Sequence, residues 1–183
     1  RAYVDRGGPV LGICGGYQMM GKKLLDPECV ESLSPEMDGF DFLNMITRFG
    51  AQKVLRRVST CLDVQWLGRR VHGKVEAYEI HMGDTQLDEA EKTDRVVSPL
   101  HCSGNLAGTY YHGLFESAEF RESFLNALAG HSGKRRAIDP KAVSAWTRKE
   151  EHYRLWADHL SRNLDLGLLK LCLGLSEKKE VCA

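Results

Sequence analysis

The residues here whose side chains could make or break covalent bonds are, first of all, six cysteines and seven histidines. Cys14 stands apart by its setting. An apolar run, Val10-Leu11-Gly12-Ile13, ends at it, two glycines follow, and Tyr17-Gln18-Met19-Met20 reads as a helix start. Gly12-x-Cys14-x-Gly16 is the pattern of a nucleophile elbow with cysteine in place of serine. In such an elbow a strand turns at once into a helix. The turn residue is strained, and small flanking residues let the two elements approach. The thiol would stand over the C-terminal end of the strand, where open α/β sheets bind ligands. The Gly15 N–H would be placed to donate to an oxyanion, with the helix N-terminus behind it. A plainer reading stands beside this one: cysteine is also a small buried apolar residue, and glycine-rich strand-to-helix turns are common.

A nucleophilic cysteine needs a base to make thiolate. His112 is the best placed of the seven histidines. It follows Gly108-Thr109-Tyr110-Tyr111, which reads as a strand, and precedes Gly113 and a helix. A second strand-end residue beside the elbow is how such pairs meet in α/β sheets. His81, also at a strand end and close to Gly83, is the runner-up. Either could instead be a hydrogen-bonded structural histidine. His152 and His159 lie about two turns apart on one helix, too far for a shared metal without further ligands. Both read as surface residues, and no metal site is expected. Residues 16–23 match phosphate-loop spacing up to the last position, but Lys23 stands where Ser or Thr would hold magnesium.

The elements that must position these residues follow from pattern. Residues 17–25 read as a short helix, ending before Asp26-Pro27, and residues 28–40 as a loop with turn signals at Ser34-Pro35 and Asp38-Gly39. Residues 42–82 carry short alternating runs. Val64-Gln65-Trp66-Leu67, Gly68 and Arg69-Arg70-Val71 form a hairpin pattern, and Val75 to Met82 alternates until Gly83. Residues 86–93 read as a polar surface loop, and residues 96–97 and 100–102 as brief strands. Residues 116–128 predict a helix with Phe120, Phe124 and Leu128 on one face and Ser117 near its start. Asp139-Pro140 can open another helical region. In residues 152–169, Tyr153, Trp156, Leu160, Leu164 and Leu168 form a stripe that reads as core-facing.

The 183 residues suffice for one domain with a sizeable core, or one domain and a short appendix. Lys+Arg and Asp+Glu number 25 each, so no general basic surface points to nucleic acid. No apolar run approaches a membrane span and no signal peptide is visible. The six cysteines show no C-x-x-C spacing, against a zinc ribbon or thioredoxin-like site, and their sparseness suits a reducing cytosol. Cys14 comes within fourteen residues of Arg1. An elbow strand is normally central in its sheet, so upstream strands are expected to be missing from this chain.

Three runs carry a resemblance. They are residues 8–21 around Cys14, Tyr78-Glu79-Ile80-His81-Met82-Gly83, and Gly108-Thr109-Tyr110-Tyr111-His112-Gly113-Leu114-Phe115. In type and order they resemble the C-terminal glutaminase domain of the cobyric acid synthase family, of the class I (triad) glutamine amidotransferase type. The elbow is shared by many such enzymes, and the Tyr78 to Gly83 run is far more specific.

The resemblance implies an α/β fold: a class I glutamine amidotransferase-like mixed sheet flanked by helices, N-terminally incomplete. Residues 1–133 would be the amidotransferase domain, and residues 134–183 a helical extension of it. The resemblance also implies that Cys14 attacks the side-chain amide of glutamine and that His112 holds the thiolate and protonates leaving ammonia. Gly15 and Gln18 would serve the oxyanion and substrate. Glu79 and His81 match the motif without an assigned role. Ammonia would pass to an ATP- and magnesium-dependent synthetase domain that amidates corrinoid carboxylates, with no cofactor bound by this domain itself. Most class I triads carry a glutamate where Leu114 stands, which leaves the third member open. Competing readings are a related glutaminase (cobyrinate diamide synthase or a cell-wall precursor amidating subunit), a non-catalytic remnant acting as an interaction module, and a cysteine hydrolase of another amide or ester.

Overall fold

The structure, a computed structural model, describes residues 1–88, 99–134 and 145–175. A short helix α1 (Ala2–Asp5) leads into strand β1 (Val10–Ile13), which turns through Cys14 into helix α2 (Gly15–Met19). Five strands follow: β2 (Lys23–Leu25), β3 (Glu36–Asp38), the long β4 (Met45–Trp66) and β5 (Arg69–Leu87), and β6 (His101–Ser103). Strands β7 (Leu106–Thr109) and β8 (Tyr111–His112) are separated by Tyr110 alone. Helix α3 (Ala118–His131) comes next, after a 3-10 turn at Leu114–Glu116.

The strands form two sheets, ordered β1-β7-β6 and β3-β2-β4-β5-β8. β1 runs parallel to β7, with Val10 opposite Leu106 and Ile13 opposite Thr109. β8 runs antiparallel to β5, with His112 opposite Tyr78. One stretch of chain, residues 106–112, therefore passes from the elbow's sheet to the hairpin's sheet, and the candidate base lies at its end. This is the expected mixed α/β arrangement with flanking helices.

The alternating residues 45–87 form one hairpin. Leu67 and Gly68 both have positive φ, +54° and +70°, the requirement of a two-residue type I′ turn. Alternation buries Leu62, Trp66, Val71 and Val75 against Phe120, Phe124 and Ala127 of α3. Trp66 stacks on Phe124 at 4.8 Å between ring centroids. The contact is close because Gly73, at φ +153°, passes the start of α3, where a Cβ would lie 2.5 Å from the Phe120 nitrogen. Ser117 caps α3, its side chain accepting from Phe120 N. A second apolar cluster, Tyr17, Met20, Leu43, Met45 and Leu106, lies beneath the elbow.

Four local expectations are corrected. The helix read over residues 17–25 ends at Met19, and Lys23–Leu25 is a strand pairing in parallel with β4. The chain at residues 39–43 takes the helix-end carbonyls: Phe40 N bonds Met19 O, Phe42 N and Leu43 N bond Met20 O, and Asp41 N bonds Gly21 O. These long-range bonds outweigh helix propensity. Residues 36–38, read as loop, pair as β3 with β2. Gln86 and Leu87, read as the start of a surface loop, complete β5, while the rest of that loop falls largely outside the described residues. The stripe Tyr153, Trp156, Leu160, Leu164 and Leu168 is exposed, not buried.

The chain divides into two compact units, Arg1–Ala142 and Val143–Ala183. The second holds helices α4 (Ala145–Asn163) and α5 (Leu166–Cys172), the latter capped by Asp165. One long helix and two turns of a second supply no layer thick enough to cover the stripe. The strand expected at residues 96–97 and the helix start at Asp139-Pro140 lie outside the described residues. Among the described residues no helix is long and apolar enough to cross a membrane.

Candidate active site

Cys14 sits at φ +53° and ψ −118°, between the last residue of β1 and the first of α2. Positive φ at a non-glycine residue is strained and is held only by its surroundings. Here Cys14 N donates to Thr109 O on β7, and Cys14 O accepts from the nitrogens of Tyr17 and Gln18. Gly12 is needed for the crossing: a Cβ there would lie 2.5 Å from Met20 Sδ and 2.8 Å from Gly16 O. Gly16, by contrast, has open space where a Cβ would stand, as has Gly15. Sequence pattern treats the flanking glycines alike, and only the structure separates them.

The thiol of Cys14 donates to Ile80 O at 3.3 Å. Gln18 is buried, and its Nε2 donates to Met82 O at 2.7 Å. Both acceptors are main-chain oxygens of β5 beyond the two residues, Tyr78 and Glu79, that pair with β8. The elbow thus docks on the β5 edge where β8 leaves off.

His112 ends β8, one residue before Gly113, whose φ of +89° turns the chain into the 3-10 turn. Its Nε2 is buried and has no hydrogen-bond partner among the described residues. Cys14 bonds β5 at Ile80 and His112 pairs with β5 at Tyr78, so both border the same strand, with no hydrogen bond joining them. Catalytic hydrogen bonds are often open in the absence of substrate. Leu114, where a triad glutamate would stand, is buried in the core. No carboxylate among the described residues bonds His112.

Glu79 and His81 contact each other directly, His81 Nε2 to Glu79 Oε1 at 3.2 Å. They line a cleft of about 870 Å³ that is also walled by Arg56, Thr85, Tyr110 and Tyr111. Tyr110 was not singled out by sequence pattern, yet it links the parts. Its ring stacks on His81 at 3.9 Å between centroids and meets the Tyr17 ring edge-on. Its hydroxyl pairs with Thr85 Oγ1, which in turn bonds Thr47 Oγ1 at 2.7 Å. Burial pushes the Tyr110 phenol above its ordinary pKa, although the bonds from Thr85, Gln18 and Thr47 oppose this. Tyr17 OH bonds His101 Nδ1 at 2.9 Å, and burial pushes the His101 pKa down, favouring a neutral ring. A doubled tyrosine next to a histidine was the only sequence signal for this network. The backbone oxygens of Ile80 and Met82 carry no sequence signal at all.

Residues 16–23 form no phosphate cradle. They run through α2 into β2, and Lys22 and Lys23 are paired with Asp88 and Glu36. No cluster of His, Cys, Asp and Glu suited to a metal ion occurs among the described residues.

A mixed α/β fold whose first strand turns through a strained cysteine into a helix is consistent with a class I glutamine amidotransferase-like fold. The chain belongs to the CobB/CobQ-like glutamine amidotransferase domain family, whose model matches residues 1–120. It is 34% identical over 180 residues to a cobyric acid synthase of Carboxydothermus hydrogenoformans, covering 95% of this chain and 36% of that protein. It is 35% identical over 188 residues to a cobyric acid synthase of Syntrophobacter fumaroxidans, again 95% of this chain and 36% of that protein. The chain thus spans about a third of the length of the curated relatives it matches.

Proposed function

We propose that this chain is the glutaminase part of a cobyric acid synthase, releasing ammonia from glutamine for amidation of corrinoid carboxylates. The observation that carries the catalytic reading is the strand that both residues border. A cysteine held at φ +53° bonds β5 at Ile80, and β5 pairs at Tyr78 with a histidine whose buried Nε2 has no partner among the described residues. The thiol leaves Ile80 O and gives its proton to His112. The thiolate attacks the side-chain amide carbon of glutamine, and the carbonyl oxygen becomes an oxyanion facing the Gly15 N–H. The C–N bond breaks as His112 returns the proton to nitrogen, and ammonia departs. Water, deprotonated by His112, then cleaves the thioester to glutamate and restores the thiol. No step involves a nucleotide or metal in this domain, and ATP and magnesium belong to a synthetase part.

The test is glutamate release from glutamine by the protein and its Cys14→Ala and His112→Ala forms, with ATP and corrinoid supplied. Cys14→Ala should abolish release, and His112→Ala should lower it by about 10²–10⁴. A native protein that releases no glutamate under these conditions overturns the reading and favours a non-catalytic interaction module.

A further inference from the structure

Glu79 and His81 are two nearly buried titratable side chains that this chemistry leaves unused, 14% and 10% exposed. They lie two residues apart on β5, so they share a face. His112 stands opposite Tyr78, and Tyr111 opposite Glu79. Glu79 and His81 therefore lie on the face away from His112, and act on the site through the β5 main chain.

The contacts form a bracket. His81 Nδ1 lies 2.9 Å from Gly83 O, and its Nε2 lies 3.2 Å from Glu79 Oε1. Glu79 Oε2 accepts from Arg56 Nε at 2.5 Å, and Tyr110 covers the imidazole ring. The bracket spans a weak point. Gly83 has φ +89°, and the β4–β5 register slips there, between Arg48 and Lys53. Between its two ends lie Ile80 and Met82, whose oxygens receive Cys14 and Gln18.

We propose that Glu79 and His81 are positioning residues for the nucleophile: their bracket fixes the β5 bend so that Ile80 O and Met82 O hold the elbow in place. The catalytic part of this inference rests on Cys14 being the nucleophile. The bracket itself does not.

The test compares the native protein with His81→Ala, His81→Asn and Glu79→Gln. The Asn amide can replace Nδ1 toward Gly83 O. Three quantities are read: amide exchange over residues 80–83, alkylation of Cys14 by iodoacetamide located by peptide mass, and kcat and KM for glutamine. His81→Ala should speed exchange at residues 80–83 at least tenfold, with residues 69–75 unchanged. Cys14 alkylation should rise at least threefold while kcat falls at least tenfold and KM moves less than threefold. His81→Asn, which keeps the Gly83 end and loses the Glu79 end, should recover part of each change. General loosening would instead raise alkylation of half-buried Cys102 as well. If His81→Ala does not fold, His81→Asn and Glu79→Gln carry the comparison; both disturb the Glu79 end of the bracket and both should raise exchange at residues 80–83. Unchanged exchange and alkylation in the folded variants overturn the proposal, as does a His81→Asn form no better than His81→Ala at equal Tm. A native protein without glutaminase activity removes the proposed function, and exchange and alkylation still decide the bracket.

Discussion

Cys14 Sγ and the main-chain oxygen of Ile80 lie 3.3 Å apart, joining residues 66 positions apart in the chain. The contact ties the turn residue of one sheet to β5 of the other, beyond the residues that β8 covers. What is local about the site is the elbow, and what is non-local is everything that holds its thiol.

The two elbow glycines should behave differently. Gly12→Ala forces a Cβ against Met20 Sδ and Gly16 O, so β1 and α2 must part. Gly16→Ala meets open space inside a helix, where alanine is favoured by about 0.5–1 kcal/mol. Thermal melting and glutamate release should show Gly12→Ala impaired in both and Gly16→Ala close to native stability. Equal impairment of the two would contradict the assigned crossing point.

Cys102 should resist alkylation that exposed Cys29 and Cys61 undergo. Burial pushes its thiol from 9.0 up to about 11. At pH 8 only about one Cys102 in a thousand is thiolate. The folded protein keeps a proton that the unfolded chain releases, so this group's contribution is intact below pH 9 and is lost as pH rises from 9 toward 11. Iodoacetamide labelling at pH 8 with peptide mapping checks the first point, and urea melts at pH 8 and pH 10.5 the second.

Asp26 ties down the loop after β2. Its buried carboxylate accepts from Val30, Glu31 and Ser32 nitrogens at 2.8, 2.9 and 2.8 Å. Burial disfavours the charge, but these N–H groups outweigh it and hold the carboxyl below its usual 3.8. The stabilisation is therefore present above pH 4 and lost as pH falls below it. Asp26→Ala should lower Tm by roughly 2–6 °C at neutral pH. The gap to native should narrow in melts run near pH 3.

Phe120 is fully buried where α3 crosses β5. Phe120→Ala opens a cavity against Phe115 and Phe124 and should cost about 3–5 kcal/mol in chemical denaturation. A cost under 1 kcal/mol would mean that α3 does not pack on the hairpin as described.

The elbow, the hairpin turn and α3 were legible because their signals are local: glycines around Cys14, Gly68 between alternating runs, phenylalanines at helical spacing. The strand at Lys23–Leu25 was not, since it depends on backbone bonds to residues 39–43 and on pairing with β4. Cys14 and His112 could be named from residue type and strand-end position. The contacts that seat the elbow on β5 could not, because they are made to carbonyl oxygens, which every residue has. The placement of Glu79 and His81 was hidden for the same reason: side-chain identity shows the pair, while the β5 register shows which face they occupy.

The Leu67-Gly68 turn has a kinetic consequence. A two-residue turn closes its strands over the shortest loop available, so the hairpin can zip from that end within microseconds. Each further β4–β5 pair then forms at little added entropic cost, until the register slip opposite Gly83. The elbow's contact with β5 requires closure of a loop of more than sixty residues, and so it assembles later. During folding the thiol of Cys14 gains its carbonyl acceptor only after the strand that provides it is in place.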